Sequence, residues 1–202
     1  MFSLAVASPF GELTAPGSFG KPCDGPAPVT IRERRDLRFH TLSANAGRDA
    51  DVAEAVVSAT GLTLPSCPKA ASKDGLAFIG TAPGQWFVVT KPGDAQFDAL
   101  RPQLAEMATI VDQTDAKAVV EISGSRVRET LAKGCMIDLH PRVFGPGDTA
   151  STPIALIDCH VWQINAGPTY LLAVPSSYAA SFWSWLRAAA AEFGYEVEHA
   201  VE

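Results

Sequence analysis

From Val29 onward the spacing of apolar positions switches repeatedly between period two and a helical period, and each switch marks an element. "VTIRE" and "LRFHTLSA" read as strand, turn and strand, with Leu37, Phe39 and Thr41 on one face. In "DVAEAVVSAT" the residues Val52, Ala55, Val56 and Ala59 form a helical stripe, with Asp49 or Asp51 to cap it and Gly61 to stop it. A proline-bracketed loop follows, then a hairpin of "GLAFIGT" and "QWFVVT" around Ala82-Pro83-Gly84. "GDAQFDALRPQLAEMA" predicts a helix with Phe97, Leu100, Leu104 and Met107 inward, kinked or divided at Pro102 because the proline ring clashes with the preceding turn.

The same order then repeats. "ATIVDQT" and "KAVVEIS" predict strands, and "GSRVRETLAKG" a helix with Val127 and Leu131 inward and Gly134 as its stop. "TPIALID" and "HVWQIN" read as a hairpin and "TYLLAV" as a buried strand. "SSYAASFWSWLRAAAAEFG" is the clearest helix, capped at Ser176 or Ser177, with Phe182, Trp185, Leu186 and Ala189 facing the core. A short strand, "YEVEHA", ends the chain. Two successive rounds of β-β-α-β-β-α, without regular β-α alternation, predict an α+β domain over residues 29–202. It is made of two interlocked halves, about 29–108 and 109–202, that divide between Met107 and Val111.

Residues 1–28 break the pattern. Pro9, Pro16, Pro22, Pro26 and Pro28 with Gly11, Gly17, Gly20 and Gly25 oppose regular helix or sheet, so this stretch is expected to form an extended arm. Its Phe2, Leu4, Phe10 and Phe19 need another surface for burial. The expectation is an arm that docks on a neighbouring subunit or along the edge of its own sheet, serving assembly and not folding.

Composition narrows the function classes. A chain of 202 residues with 47% hydrophobic and 19% charged residues can bury a sizeable core. Its net charge of -6 opposes nucleic-acid binding, which needs a basic face, and the basic run "IRERRDLR" is interspersed with acids as in a solvated strand pair. No apolar stretch approaches the roughly 20 residues that span a bilayer. The N-terminus lacks the basic region of a signal peptide. Cys23, Cys67, Cys135 and Cys159 form no C-x-x-C unit, and free thiols suit a cytoplasmic protein.

The candidate chemistry is concentrated in "LAKGCMIDLHPRVFGPGD", which brings Cys135, Asp138, His140 and Arg142 together in sequence. A zinc site here would need two further ligands, and the adjacent Cys159 and His160 point to opposite faces of a strand. Cys135 follows a helix C-terminus, where the dipole raises a thiol pKa; Lys133 compensates only in part. There is no G-x-G-x-x-G or G-x-x-x-x-G-K-[ST], and "GPGD" reads as a turn without phosphate-loop context. Trp86, Trp162, Trp183 and Trp185 are placed as core or interface residues before cofactor-stacking ones. Catalytic, cofactor-binding and metal-binding residues are therefore expected to be absent from this chain.

"VDQTDAKAVVEISGSRVRETLAKGCMIDLHPRVFGPGDTAST" resembles the signature region of the gamma subunits of heterotetrameric sarcosine oxidases, with "KGCMIDLHPRVF" as its specific part. "GQWFVVT" and "PSSYAASFWSWLRAAAAEFG" add matches in the same order, and the resemblance covers most of the chain from about Val29. It implies a fold similar to the folate-binding domain of aminomethyltransferases. It also implies partners: the alpha, beta and delta subunits of a bacterial complex that oxidatively demethylates sarcosine to glycine. FAD, FMN, NAD, tetrahydrofolate and zinc would reside in those subunits.

On this resemblance the stretch from Leu131 to Asp148 combines a structural turn, with Met136, Ile137 and Leu139 buried, and a docking surface; the alternative is a loop tied down within its own subunit. Phe2, Phe10, Phe19, Trp86, Asp138, His140 and Arg142 are the interface candidates. Two other functions remain open at this point. One is a stand-alone folate-binding or aminomethyltransferase-like protein using Asp112, Asp138, Arg126 and Arg128. The other is the gamma-type subunit of a related flavoprotein complex acting on a different N-methyl amine.

Overall fold

A computed structural model describes residues 8–202, so Phe2 and Leu4 lie outside the described residues. A one-turn 3-10 helix, Gly11–Thr14, and a short strand β1, Gly17–Phe19, precede β2, Val29–Glu33, and β3, Arg38–Ala44. Helix α1 is Asp49–Thr60, followed by strands β4, Ala70–Lys73, β5, Leu76–Ala82, and β6, Gln85–Thr90. Helix α2, Ala95–Leu104, leads to β7, Ala108–Asp112, then β8, Lys117–Ser123, and the short helix α3, Val127–Ala132. Strands β9, Thr149–Ile154, β10, Ile157–Asn165, and β11, Thr169–Pro175, are followed by α4, Ala179–Ala191, and β12, Tyr195–Val197.

The strands form a seven-stranded sheet, β1-β12-β2-β8-β11-β10-β9, and a five-stranded sheet, β4-β5-β6-β3-β7. Period-two alternation sends each strand's side chains to two different cores. Phe39, Ile79, Val89, Val119, Trp162, Leu171 and Ala173 meet between the sheets. Ile31, Val120, Ile122, Tyr170 and Leu172 face the opposite way, onto Leu131, Phe182, Trp183 and Leu186 of α3 and α4. Leu42, Leu76, Phe78 and Val88 pack on Val52 and Val56 of α1 and Phe97 and Leu100 of α2. The stacking is helices, sheet, sheet, helices. It is the α+β architecture expected from the sequence.

The strand assignments differ in instructive places. "ATIVDQT" was expected to open the second half, but β7 pairs antiparallel with β3 in the five-stranded sheet, while β2 crosses into the seven-stranded sheet beside β8. The exchange moves the sheet boundary past β7, because backbone pairing follows spatial neighbours and leaves no mark on hydropathy. β4 lies inside the stretch read as a proline-bracketed loop. The hairpin in "TPIALIDCHVWQIN" turns at Ala155-Leu156, within a run read as strand, and both residues have positive φ, 51° and 66°. That geometry costs an L-residue roughly 1–2 kcal/mol, and no glycine or asparagine announces it. Leu156 at the tip is 94% exposed.

Helix ends also depart from the reading. Pro102 sits in the last turn of α2, which continues unbroken to Leu104 and is capped at the other end by Asp94, whose Oδ1 accepts from Phe97 N at 2.9 Å. Asp49 is the first residue of α1 and not its cap, and α4 begins after a 3-10 turn at Ser176–Tyr178 without a serine side-chain cap. In α4 the fully buried tryptophan is Trp183; Trp185 is only partly covered.

The proline-rich arm takes the second of its two expected placements, along the edge of its own sheet, and departs from the expectation in serving the fold. β1 pairs antiparallel with β12 at the edge of the seven-stranded sheet. Phe10 is 2% exposed, its ring 5.6 Å from that of Trp183, and belongs to the chain's own core. Thr14 Oγ1 donates to the buried Glu33 carboxylate at 3.0 Å. Described residues of the arm therefore complete the fold. Phe10 is withdrawn as an interface candidate, and so is Trp86, which packs in the core under α1 and α2 with Nε1 donating to Pro65 O at 2.8 Å. Phe19 remains partly exposed, stacked on Tyr195 at 5.4 Å.

One polar pair is enclosed at the inner layer. His160 Nε2 and Thr149 Oγ1 lie 2.6 Å apart, with the imidazole against Phe87 and Trp162. Burial, helped by the nearby Lys117 cation, pushes His160 down to about 4, so it is neutral at pH 7.

Two outcomes follow from this packing. Phe10→Ala should lower unfolding free energy by about 3–5 kcal/mol, measured by urea denaturation, because it empties a filled core site. An arm serving assembly alone would leave the midpoint unchanged. Below the ordinary histidine range the unfolded chain takes up a proton that folded His160 refuses, so stability should fall as pH drops from 6.5 toward 4. The loss should reach about 2–3 kcal/mol by the bottom of that window, at about 1.4 kcal/mol per tenfold change in proton affinity. His40, also shifted down by burial, contributes in the same direction. His160→Gln should flatten most of this pH dependence, read from urea midpoints across the window; an unchanged slope would assign it to other groups.

Candidate functional site

The segment from Leu131 to Asp148 leaves the end of α3 and crosses the rim of the seven-stranded sheet. Its backbone is tied down first. Cys135 N and Gly134 N both donate to Leu131 O, at 2.8 and 3.0 Å, and Ala155 N donates to Gly134 O at 3.1 Å. Cys135 thereby bridges Ile154 at the end of β9. Gly134 is required by close approach, since a Cβ there would stand 2.5 Å from the Trp185 ring.

The side chains then divide between anchoring and exposure. Leu139 and Phe144 are buried, and Arg128 Nε reaches Leu139 O and Tyr170 Oη, both at 3.0 Å. Asp138 Oδ1 accepts from His140 N at 2.8 Å, and His140 Nδ1 accepts from Arg142 N at 3.2 Å. His140 O closes a further turn by accepting from Val143 N and Phe144 N, both at 2.9 Å. These bonds shape the loop within its own subunit. The outer faces of Asp138, His140 and Arg142 remain exposed.

Met136, expected inside, is 75% exposed, and Val143 is 63% exposed. Neither was singled out from the sequence as a surface residue. Hydropathy cannot tell which side of a loop faces solvent, and here the bridge to Ile154 decides it for the Cys135–Met136 step. With Leu156 at the neighbouring hairpin tip, they add apolar surface to this end of the molecule.

The nucleophile and metal readings can now be judged on geometry. Burial pushes the Cys135 thiol up, with a smaller opposing effect from Ile137 N, so desolvation takes the role assigned to the helix dipole. Lys133 gives it no cation: its ammonium pairs with Glu192 at 2.7 Å and lies over the Phe193 ring. Cys159 is fully enclosed and burial pushes its thiol far up as well. Among the described residues no group of three or more His, Cys, Asp or Glu side chains converges as a metal set. The "GPGD" run is a turn whose Asp148 carboxylate accepts from Gly145 N at 2.8 Å and pairs with Lys69.

The four residues considered for a folate pocket are dispersed. Arg126 pairs with Glu129 at 2.8 Å, Arg128 is spent on Leu139 and Tyr170, and Asp138 shapes its own turn. Asp112, at the end of β7, accepts from Thr114 N at 2.8 Å, which holds its carboxyl below the usual range. Three of the four arginines of the basic run are likewise neutralised in place. Arg34 binds Asp36 and Glu121, Arg35 binds Glu33 and Glu202, and Arg32 pairs with Glu198. What this end of the chain presents is a rigid, exposed loop and hairpin.

Both the sequence and the fold match known proteins. Residues 44–192 match the family described as sarcosine oxidase, gamma subunit family. A sarcosine oxidase subunit gamma from Corynebacterium sp. (strain U-96) is 27% identical over 175 residues, covering 84% of this chain and 82% of the relative. Another, from Corynebacterium sp. (strain P-1), is 30% identical over 151 residues, covering 74% and 73%. Among solved structures, a chain of the heterotetrameric sarcosine oxidase from Corynebacterium sp. U-96, in complex with pyrrole 2-carboxylate, superposes with a TM-score of 0.75 at 26% identity, over 84% of this chain and 87% of that one. The glycine cleavage system aminomethyltransferase T from Bartonella henselae shares the fold, with a TM-score of 0.60 at 12% identity, over 82% of this chain and 49% of that one. With its fold and most of its length matched in this way, the chain belongs to the sarcosine oxidase gamma subunit family.

Proposed function

We propose that this chain is the non-catalytic gamma subunit of a bacterial, cytoplasmic heterotetrameric sarcosine oxidase. The whole complex would demethylate sarcosine to glycine oxidatively, pass the one-carbon unit to tetrahydrofolate and release hydrogen peroxide. The alpha, beta and delta subunits would hold FAD, FMN, NAD, tetrahydrofolate and zinc, and this chain would hold none of them. The observation that carries the reading is the agreement in fold with the heterotetrameric enzyme's chain at a TM-score of 0.75 over 84% of this one. Local chemistry supports it. Burial keeps the Cys135 and Cys159 thiols protonated and His160 neutral, and His140 is engaged in a turn. No helix among the described residues is long and apolar enough to cross a membrane. Phe19, Asp138, His140 and Arg142 supply surface for contact with the other subunits, and the exposed Met136 and Val143 extend it.

Co-expression with the alpha, beta and delta chains should yield a yellow complex that retains this subunit, whereas the chain alone should be colourless and should not oxidise sarcosine. An absorption spectrum and an oxygen-uptake assay decide this; stoichiometric flavin on the lone chain, or activity without partners, overturns it. Parallel assays with other N-methyl amines identify the preferred substrate. In the assembled complex, Cys135→Ser and His140→Ala should leave kcat within about twofold, because neither side chain makes an interaction confined to the transition state. A fall of several orders of magnitude with assembly intact would make this loop catalytic.

A further inference from the structure

The first turn of α2 meets the end of β3 and β6 at a cavity of about 190 Å³. Strand register shows which side chains share it. Arg38 and His40 lie two residues apart on β3, on the side that Leu42 turns toward α1 and α2, and Thr90 of β6 is the cross-strand partner of Arg38. Phe97 closes the floor, its ring 4.8 Å from the His40 imidazole. The loop 91–94 and Asp98 complete the wall. This floor holds an unanswered polar group. The His40 side chain is 8% exposed, its Nδ1 is buried without a hydrogen-bond partner, and its Nε2 stands 3.9 Å from the Asp112 carboxylate, beyond hydrogen-bond reach. A buried imidazole nitrogen left alone is costly, and a molecule bound in the cavity would complete it.

The charges around the floor are of both signs and largely unspent. Arg38, half-buried, and Lys91, exposed, have no ion pair among the described residues, and neither has Asp98. Asp94 is turned to its own helix, where Oδ1 accepts from Phe97 N. Burial holds the His40 pKa below its usual value, with further influence from Asp112, Arg101 and Asp98, so these three charges lie near the ring. A carboxylate on the Nε2 side favours the ring proton there and leaves a lone pair on Nδ1. Two cations, a carboxylate and an acceptor nitrogen suit a ligand that itself carries both signs. The volume equals about six water molecules at roughly 30 Å³ each, which admits a small metabolite and excludes a nucleotide or a pterin. We propose that this cavity binds a small zwitterion, an α-amino acid with little or no side chain, with its carboxylate on Arg38 and Lys91 and its ammonium on Asp98 and His40 Nδ1. The assignment is independent of the subunit reading, since it rests on this chain's own geometry.

The test uses the full chain at pH 7 with glycine as probe and acetate and methylammonium as its separate halves, followed through the imidazole nitrogen resonances in NMR spectra. Glycine should shift the His40 Nδ1 resonance saturably while those of His140, His160 and His199 stay in place. It should bind about tenfold or more tightly than either half, with affinity falling as salt rises. Arg38→Gln and Asp98→Asn should each weaken glycine about tenfold, and Arg142→Gln, in the loop beside the other sheet, should change nothing. The comparison of the three ligands on the unaltered chain does not depend on how the variants fold. Absence of a saturable His40 shift at roughly 50 mM glycine, equal affinity for acetate or methylammonium, or undiminished glycine affinity in either folded variant overturns the proposal.

Discussion

The structure depends on one constraint: most strands of both sheets must bury their two faces at once. A sheet with one apolar face can rest against water, but here Val119 and Val120, Leu171 and Leu172, and Phe78 and Ile79 are successive residues directed into different cores. Neither sheet can therefore stand alone. Each needs a helical layer outside it and the other sheet inside it. At about 1.5–3 kcal/mol for each large side chain removed from water, the inter-sheet layer represents a substantial part of the folding drive before entropy is subtracted.

Interlocking enforces that arrangement. β2 leaves the first stretch of sequence to sit beside β8, and β7 returns to sit beside β3, so the chain is threaded through both sheets. Where it crosses, charge has to be accommodated. Glu33 and Asp36 are almost fully buried, and Arg34 and Arg35 answer them in a hydrogen-bonded network. The arm closes the same region: Ser8 and Thr14 donate to the two oxygens of Glu33, and Phe10 fills a place beside Trp183. A proline-rich segment can contribute to a fold in this way because the surface it covers is preformed and its own backbone loses less entropy on ordering.

The loop from Leu131 to Asp148 shows how chemistry-bearing residues can serve shape. Its carboxylate and imidazole accept from backbone N–H groups two residues on, its thiol stays protonated through burial, and its nearest lysine is occupied elsewhere. Rigidity with exposed polar and apolar tips suits a surface that other subunits recognise, because little ordering entropy remains to be lost on binding. This is consistent with membership of a family whose relatives include a chain of a heterotetrameric enzyme.

The sequence by itself determined the elements whose signal is local. The helical stripes of α1 and α4, the left-handed stop at Gly61, the hairpin at Pro83-Gly84 and the "KGCMIDLHPRVF" run that marks the family were all legible, because periodicity, glycine conformation and motif act over a few residues. Tertiary structure decided whatever depended on a distant neighbour. Phe10 and Trp86 read as surface candidates and lie in cores, Met136 read as buried and lies outside, and Gly134 is demanded by Trp185 on another helix. The Ala155-Leu156 turn appears in a run that looks like strand, since the pairing of β9 with β10 imposes a backbone conformation that these residues do not favour. Strand exchange between the sheets is of the same kind. Hydropathy records that a strand is buried, whereas the identity of its partner is settled only by the packing energy of the assembled layers.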